Sequence, residues 1–356
     1  MNAALRGLLI GSAGGALCWL AGLPAPWLAG SMIAAIVAVF AGIAIGMPDW
    51  LKTTAFILLG IQTGTSVTWE TVERASQWPL SIALLAVTMV AITWACTQFY
   101  TRQRKWDGPT ALFASLPGAL ALVLLLASAS SADMRRVSIA QCIRLFFLVA
   151  ALPAVITLMS PDKMAPSGQA SIGSAVDVLI VVAGSVVAGL TLERLRVPAG
   201  LILGPTLCSA GLELSGLISG TIPMALLIPA NVILGVMIAS RFTDFTFAEF
   251  RQALGEGFSG FLIALAISAA GALTVSLLGG LPFALTLLAF SPGGLEAMTI
   301  MAFALDLDPA YVGAHQVARY VGMALLMPLL TGLVLRRMGH QGNVTSSPAP
   351  SRIEGE

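Results

Sequence analysis

The chain has 356 residues, 57% of them hydrophobic and only 10% charged, with a formal net charge of +1. An ordinary soluble domain carries about 25% charged residues, so this chain cannot build a solvated surface and reads as a polytopic membrane protein. No basic patch accompanies the near-zero charge, which excludes a nucleic-acid-binding module. The four cysteines, Cys18, Cys96, Cys142 and Cys208, stand singly in apolar stretches, a pattern of buried thiols rather than of a disulfide framework or a zinc site.

A helix needs about 20 apolar residues to cross the hydrocarbon. In the first half the predicted spans are 5–22, 25–45, 51–67, 79–100, 108–130 and 137–159. Arg6 ahead of an apolar run mimics a leader, but Leu23-Pro24-Ala25-Pro26 leads straight into a second run, which predicts a retained first helix. Gly7, Gly11 and Gly15 lie on one face and predict close helix packing, as do Ser185 and Gly189 later. The third span is polar for lipid at Gln62-Thr63-Gly64-Thr65-Ser66. Residues 160–173 form a polar linker. The second half offers 174–190, 199–219, 223–240, 257–278, 282–305 and 310–335, with Pro229-Ala230-Asn231 predicted to interrupt its third member. Residues 339–356, rich in Ser, Pro, Gly and charge, read as a disordered tail. Arg102-Gln103-Arg104-Lys105 is the densest positive cluster and belongs on the cytoplasmic side. Arg135-Arg136, Arg194 with Arg196, and Arg336-Arg337 do not all agree with it, so topology stays open, parallel repeats for six crossings per half and inverted ones for five.

The halves match where apolar background cannot. At an offset of 175, Pro117-Gly118 meets Pro292-Gly293, Asp133 meets Asp308, Gln141 meets Gln316, Arg144 meets Arg319 and Pro153 meets Pro328. Gly60 meets Gly235 and Thr68 meets Thr243; one residue out of register, Leu23-Pro24-Ala25 meets Val197-Pro198-Ala199, and Gly30 meets Gly204. The expectation is an all-α membrane protein of two repeats, 1–159 and 174–338, each holding a helix broken at Pro-Gly.

Proline removes a backbone donor and the adjacent glycine frees the dihedrals. Broken backbone at membrane depth is tolerated only inside protein or beside a wet cavity. The helix restarting after Pro117-Gly118 or Pro292-Gly293-Gly294 points free N–H groups at whatever lies there, a ready anion site; a packed kink with no ligand is the alternative. Glu296, whose counterpart is Ala121, costs about 2.5–3.5 kcal/mol at the bilayer centre and reads either as a coupling carboxylate or as half of an ion pair with Arg319 or Arg144. Gln141 and Arg144, like Gln316 and Arg319, are three apart and share a helix face. The guanidinium suits an anionic group; alternatively each arginine bonds carbonyls freed by the break and locks the fold. His315 adds a titratable neighbour in the second half only. Asp133 and Asp308 are read as caps of the following helices, and Asp306 beside Asp308 as a weak cation hint.

Leu23 to Gly30 (an LPAPWLLG-like stretch), Pro292 to Met298 (PGG-LEAM) and His315 to Arg319 (His-Gln-xx-Arg) resemble the AbrB-duplication family of bacterial membrane proteins over about residues 5–337. Members are labelled AbrB family transcriptional regulators or ammonia monooxygenases. A monooxygenase needs a metal, and the chain has two histidines, His315 and His340. A looser likeness points to cation–proton antiporters, through Pro198-Ala199-Gly200 to Gly204-Pro205, but no Asp-Asp or Asn-Asp pair sits at a break, which leaves room for organic-anion carriage.

The expected function is gradient-driven transport of a small anionic organic solute across the bacterial inner membrane, without enzymatic activity, metal or cofactor. The expected solute ligands are Pro117, Gly118, Gln141, Arg144, Pro292, Gly293, Gly294, Gln316 and Arg319, and Glu296 and His315 would couple H+ or Na+. Expected partners are the solute, the coupling ion and lipid, with no nucleic acid and with homodimerisation open. The alternatives are a membrane sensor that regulates expression indirectly and a membrane monooxygenase.

Overall fold

The computed structural model describes residues 2–117, 123–124, 127–128, 130–159, 174–195, 197, 200–218 and 222–323. The predicted linker 160–173, the tail 339–356 and Gly118 lie outside the described residues, as does the side chain of Glu296. Among the described residues the secondary structure is helical and no strand forms.

The elements are α1 (Ala3–Leu20), α2 (Pro26–Phe40), α3 (Asp49–Thr65), α4 (Trp69–Arg74), α5 (Trp78–Arg102), α6 (Gly108–Ser115) and α7 (Met134–Met159). They continue as α8 (Ala175–Arg194), α9 (Gly200–Leu214), α10 (Met224–Ser240), α11 (Phe247–Gly279), α12 (Phe283–Phe290) and α13 (Leu295–Ala304). A last helix, α14, is described over 309–323. Among the described residues six helices are long and apolar enough to cross a membrane: α1, α5, α7, α8, α10 and α11. The chain is therefore a polytopic, all-helical membrane protein. The expected interruption of the third span of the second half is corrected, because α10 runs unbroken through Pro229. That proline forgoes a single i→i−4 hydrogen bond, to the Ala225 carbonyl, and the helix continues past it.

The helices sort into two groups by their packing. In the first, α1 lies on α2, α8 on α9, α2 on α10 and α3 on α9. Small residues allow this closeness. A Cβ on Gly30 would lie 2.5 Å from the Gly14 carbonyl oxygen, and one on Gly204 would lie 2.6 Å from that of Ala188. Gly7 and Gly11 face Val236 of α10, while Gly15 faces Trp27 of α2. In the second group α5 and α7 both pack on α11, α6 lies against α5 and α7, and α12 lies against α11. Contacts of α3 with α13 and of α2 with α7 join the groups.

The 33-residue α11 is about 50 Å long at 1.5 Å per residue, more than the hydrocarbon needs. Its start is fixed by reciprocal hydrogen bonds between Thr246 and Glu249, and its end by Gly280 in the left-handed region (φ 63°). By contrast α6 and α12 have eight residues each, about 12 Å, less than half of a ~30 Å hydrocarbon core.

Candidate functional site

The two short helices end for the same local reason. A residue before proline is pushed out of the helical region. Leu116 before Pro117 has φ −65°, ψ 123°, and Ser291 before Pro292 has φ −63°, ψ 134°. The last turn of each helix is left with carbonyls that have no intrahelical partner. Pro117, Pro292 and Gly293 are buried with it, so bulk water cannot serve those carbonyls.

Side chains from the next long helix take that role. Gln141 of α7 donates through Nε2 to the carbonyls of Phe113 (3.0 Å) and Leu116 (3.0 Å), with Ala114 at 3.5 Å. Arg144 donates to the Leu116 carbonyl at 3.2 Å and to Gln141 Oε1. In the second half Gln316 donates to the carbonyls of Ala289 (3.2 Å), Leu288 (3.4 Å) and Ser291 (3.4 Å). Arg319 donates to the Ser291 carbonyl at 2.7 Å and to that of Gly293. The i,i+3 spacing on one face thus delivers an amide and a guanidinium to one helix end. A helix C-terminus carries about half a negative charge, which favours the guanidinium there.

All four side chains are buried: Gln141 is 4% exposed, Arg144 8%, Gln316 0% and Arg319 7%. Apart from the bond of Arg144 to Gln141 Oε1, their described hydrogen bonds run to backbone oxygens, so the geometry matches the reading in which they lock the ends of α6 and α12. Arg144 also borders a cavity of about 10 Å³ lined by Cys96, Tyr100, Ser115, Gly257 and Gly260, room for about one water. Among the described residues no carboxylate pairs with Arg144. We expect Gln141→Leu to take this donor from the Phe113 carbonyl, while Leu116 keeps its bond from Arg144. At roughly 1–3 kcal/mol per buried unsatisfied group, its melting temperature in detergent should fall clearly below wild type; an unchanged melt refutes the lock.

α13 begins at Leu295 after Gly294, an N-cap residue with no side chain to bond the first N–H groups. Its backbone places Glu296 in that first turn. Asp133 and Asp308 act as caps: Asp133 Oδ1 accepts from the amides of Arg135 (3.0 Å) and Arg136 (3.1 Å), and Asp308 Oδ1 from those of Ala310 (2.9 Å) and Tyr311 (3.1 Å). No cluster of three or more His, Cys, Asp or Glu able to hold a metal occurs among the described residues.

His315 is fully buried, and its hydrogen-bond partners are not residues proposed for the solute site. Its Nε2 lies 2.7 Å from Ser81 Oγ of α5, and its Nδ1 lies 2.8 Å from the Tyr311 carbonyl oxygen. Sequence reading missed Ser81, since a serine in the first turn of an apolar span looks like any side chain bonding back to its own helix. It also missed Tyr311, whose ring stacks 4.0 Å from that of His315.

A family model described as "Transition state regulatory protein AbrB" matches residues 27–335. The chain is 28% identical over 319 residues to the Escherichia coli (strain K12) protein named "Putative regulator AbrB", covering 88% of this chain and 90% of that one. It is 24% identical over 370 residues to "Uncharacterized protein YhjN" of Bacillus subtilis (strain 168), covering 96% and 95% of the two chains.

Proposed function

The chain belongs to the AbrB family, and from that membership and its paired helix-end clamps we propose that it is a secondary carrier for a small anionic organic solute, driven by an ion gradient across the bacterial inner membrane. The observation that carries this reading is the pair of buried Gln–Arg clamps on the ends of α6 and α12. Each acceptor in one half has its counterpart 175 residues on: Phe113 and Leu288, Ala114 and Ala289, Leu116 and Ser291.

Helix bounds support two repeats in the same way. Asp49 begins α3 and Met224 begins α10; Gly108 and Ser115 bound α6 as Phe283 and Phe290 bound α12. We read α6 and α12 as the first halves of discontinuous helices, with α13 as the second half in the later repeat. Interrupted helices facing one another around a midplane site are how many carriers bind solute. A buried guanidinium is costly to keep charged without a partner. The helix end offsets about half of its charge, and the remainder favours an anion beside Arg144, whose described partners are all neutral. The water-sized space beside Arg144 lies within the second helix group, so solute reaches it only once α6 and α7 shift against α5 and α11; rocking of one helix group against the other is the proposed alternating-access motion. Glu296 and His315 are the groups proposed for coupling.

The test is uptake of labelled monocarboxylates and dicarboxylates into proteoliposomes, with and without an imposed pH gradient. Accumulation that follows the gradient is expected. The printed name of the Escherichia coli relative favours a second reading, a membrane sensor acting indirectly on expression. Saturable solute binding with no flux under any gradient supports the sensor and overturns the carrier.

A further inference from the structure

A second cavity, of about 220 Å³, lies where α5 begins, α11 ends, α12 begins and α14 begins. Its polar lining is Ser81, Asp306, Asp308 and Tyr311, with Trp78 and Leu285 among the apolar walls. Tyr311 is 2% exposed, and its hydroxyl faces Ser81 without reaching full hydrogen-bond geometry. A buried hydroxyl left so, in a space this large, suits ordered water. His315 stands seven residues beyond Asp308 on α14, about 10 Å deeper along the helix axis. Arg319 follows one turn further on.

The hydrogen bonds around His315 assign its tautomer. A backbone carbonyl only accepts, so Nδ1 carries the proton toward Tyr311. Nε2 then presents its lone pair to Ser81 Oγ. Ser81 Oγ also lies 2.9 Å from the Trp78 carbonyl oxygen. One hydroxyl proton therefore has two acceptors. With His315 neutral, Ser81 donates to Nε2. With His315 charged, Nε2–H donates to Ser81 Oγ and the hydroxyl proton turns to the Trp78 carbonyl. Both charge states are satisfied without displacing a heavy atom.

We infer that the cavity is the port through which protons reach His315, with Ser81 as the relay. This rests on the carrier reading and names its coupling ion. A cavity water gives a proton to Ser81 Oγ while the serine's own proton passes to Nε2. One proton is taken from the bulk, the imidazole gains one positive charge, and the serine ends neutral. The groups around the imidazole are Ser81 and Trp78 from α5, Phe290 from α12, and Tyr311, Gln316 and Arg319 from its own helix. Asp306 and Asp308 are the acidic groups of the cavity wall and draw protons toward it. A charge on His315 sits one turn from Arg319 and repels it, which loosens the hold on the Ser291 carbonyl. The first half has no such device, since Ala140 stands where His315 does and Glu256 where Ser81 does.

The test uses the full chain in nanodiscs with 15N-labelled histidine and His340→Gln, which leaves His315 as the single imidazole. We expect the Nδ1–H tautomer when neutral and a one-proton step at Nε2 as the pH is lowered. Ser81→Ala should slow proton exchange at Nε2 by roughly a hundredfold, and Ser81→Thr should restore it. Leu285→Trp, which fills the cavity, should slow exchange and leave the tautomer unchanged. An Nε2–H tautomer, an imidazole that never titrates, or exchange indifferent to Ser81→Ala overturns the port. None of these readouts needs transport. A working port with no solute flux refutes only the carrier, and flux with an unprotonated His315 refutes only the port.

Discussion

Arg319→Ala is expected to abolish gradient-driven uptake and to destabilise the folded chain, the largest functional loss of any single change. The side chain bonds the Ser291 and Gly293 carbonyls, both on the segment between α12 and α13. Alanine leaves these buried oxygens without that donor, at roughly 1–3 kcal/mol each. It also removes the charge proposed to attract the solute. Arg319→Lys separates the two losses: an ammonium keeps the charge but cannot span two carbonyls with a planar fork. We expect lysine to recover part of the solute affinity and little of the thermal stability. Uptake assays with melting curves in the same detergent decide this, and an alanine variant with wild-type flux and melting would remove both roles. Arg144→Ala should cost less stability, because Arg144 bonds one backbone carbonyl, Leu116, which also accepts from Gln141, whereas Arg319 bonds two.

Gly235→Ala and Gly64→Ala should each prevent normal assembly of the helix group containing α1–α3 and α8–α10. A Cβ at Gly235 would lie 2.7 Å from the Leu28 carbonyl oxygen and 2.9 Å from the Met32 amide nitrogen, and would overlap Ser31 Oγ. At Gly64 it would overlap Ser209 Oγ and the Thr206 carbonyl. Backbone atoms cannot rotate aside, so α2 must leave α10, or α9 must leave α3. Overpacking costs about 1–3 kcal/mol even in adaptable cores, and more is expected where backbone meets backbone. Gly211→Ala is the control: nothing lies within 4 Å of its added Cβ, and alanine raises helix propensity by about 1 kcal/mol. Expression, monodispersity and melting temperature should fall for the first two variants and hold or rise for the third. Equal behaviour of all three would mean that the helix contacts are misassigned.

Much of the candidate site was legible because its signals are local. Pro117 and Pro292 announce helix ends through the geometry of the residue before proline, and Leu116 and Ser291 adopt the extended backbone that rule requires. Asp133 and Asp308 read as caps from position alone, and both accept the amides that cap geometry predicts. Pro229 shows where the same rule misleads. A single proline removes one intrahelical hydrogen bond, and packing on both sides of it keeps α10 continuous. Ser81 was illegible because its partner His315 is 234 residues away. Nothing in the sequence around either residue distinguishes a relay from a serine bonding its own helix.

The sequence alone determined that the chain is a membrane protein, where its long apolar helices run, and that Gln141 with Arg144 and Gln316 with Arg319 share a face. These follow from composition and from a 3.6-residue period, which act within one helix. Only the tertiary structure decided what those faces meet: backbone carbonyls 25 to 28 residues back for the clamps, and a serine from the other half for His315. Such pairings depend on which helices pack together. Within a membrane that choice is made by van der Waals fit and buried hydrogen bonds, and it leaves no periodic mark along the chain.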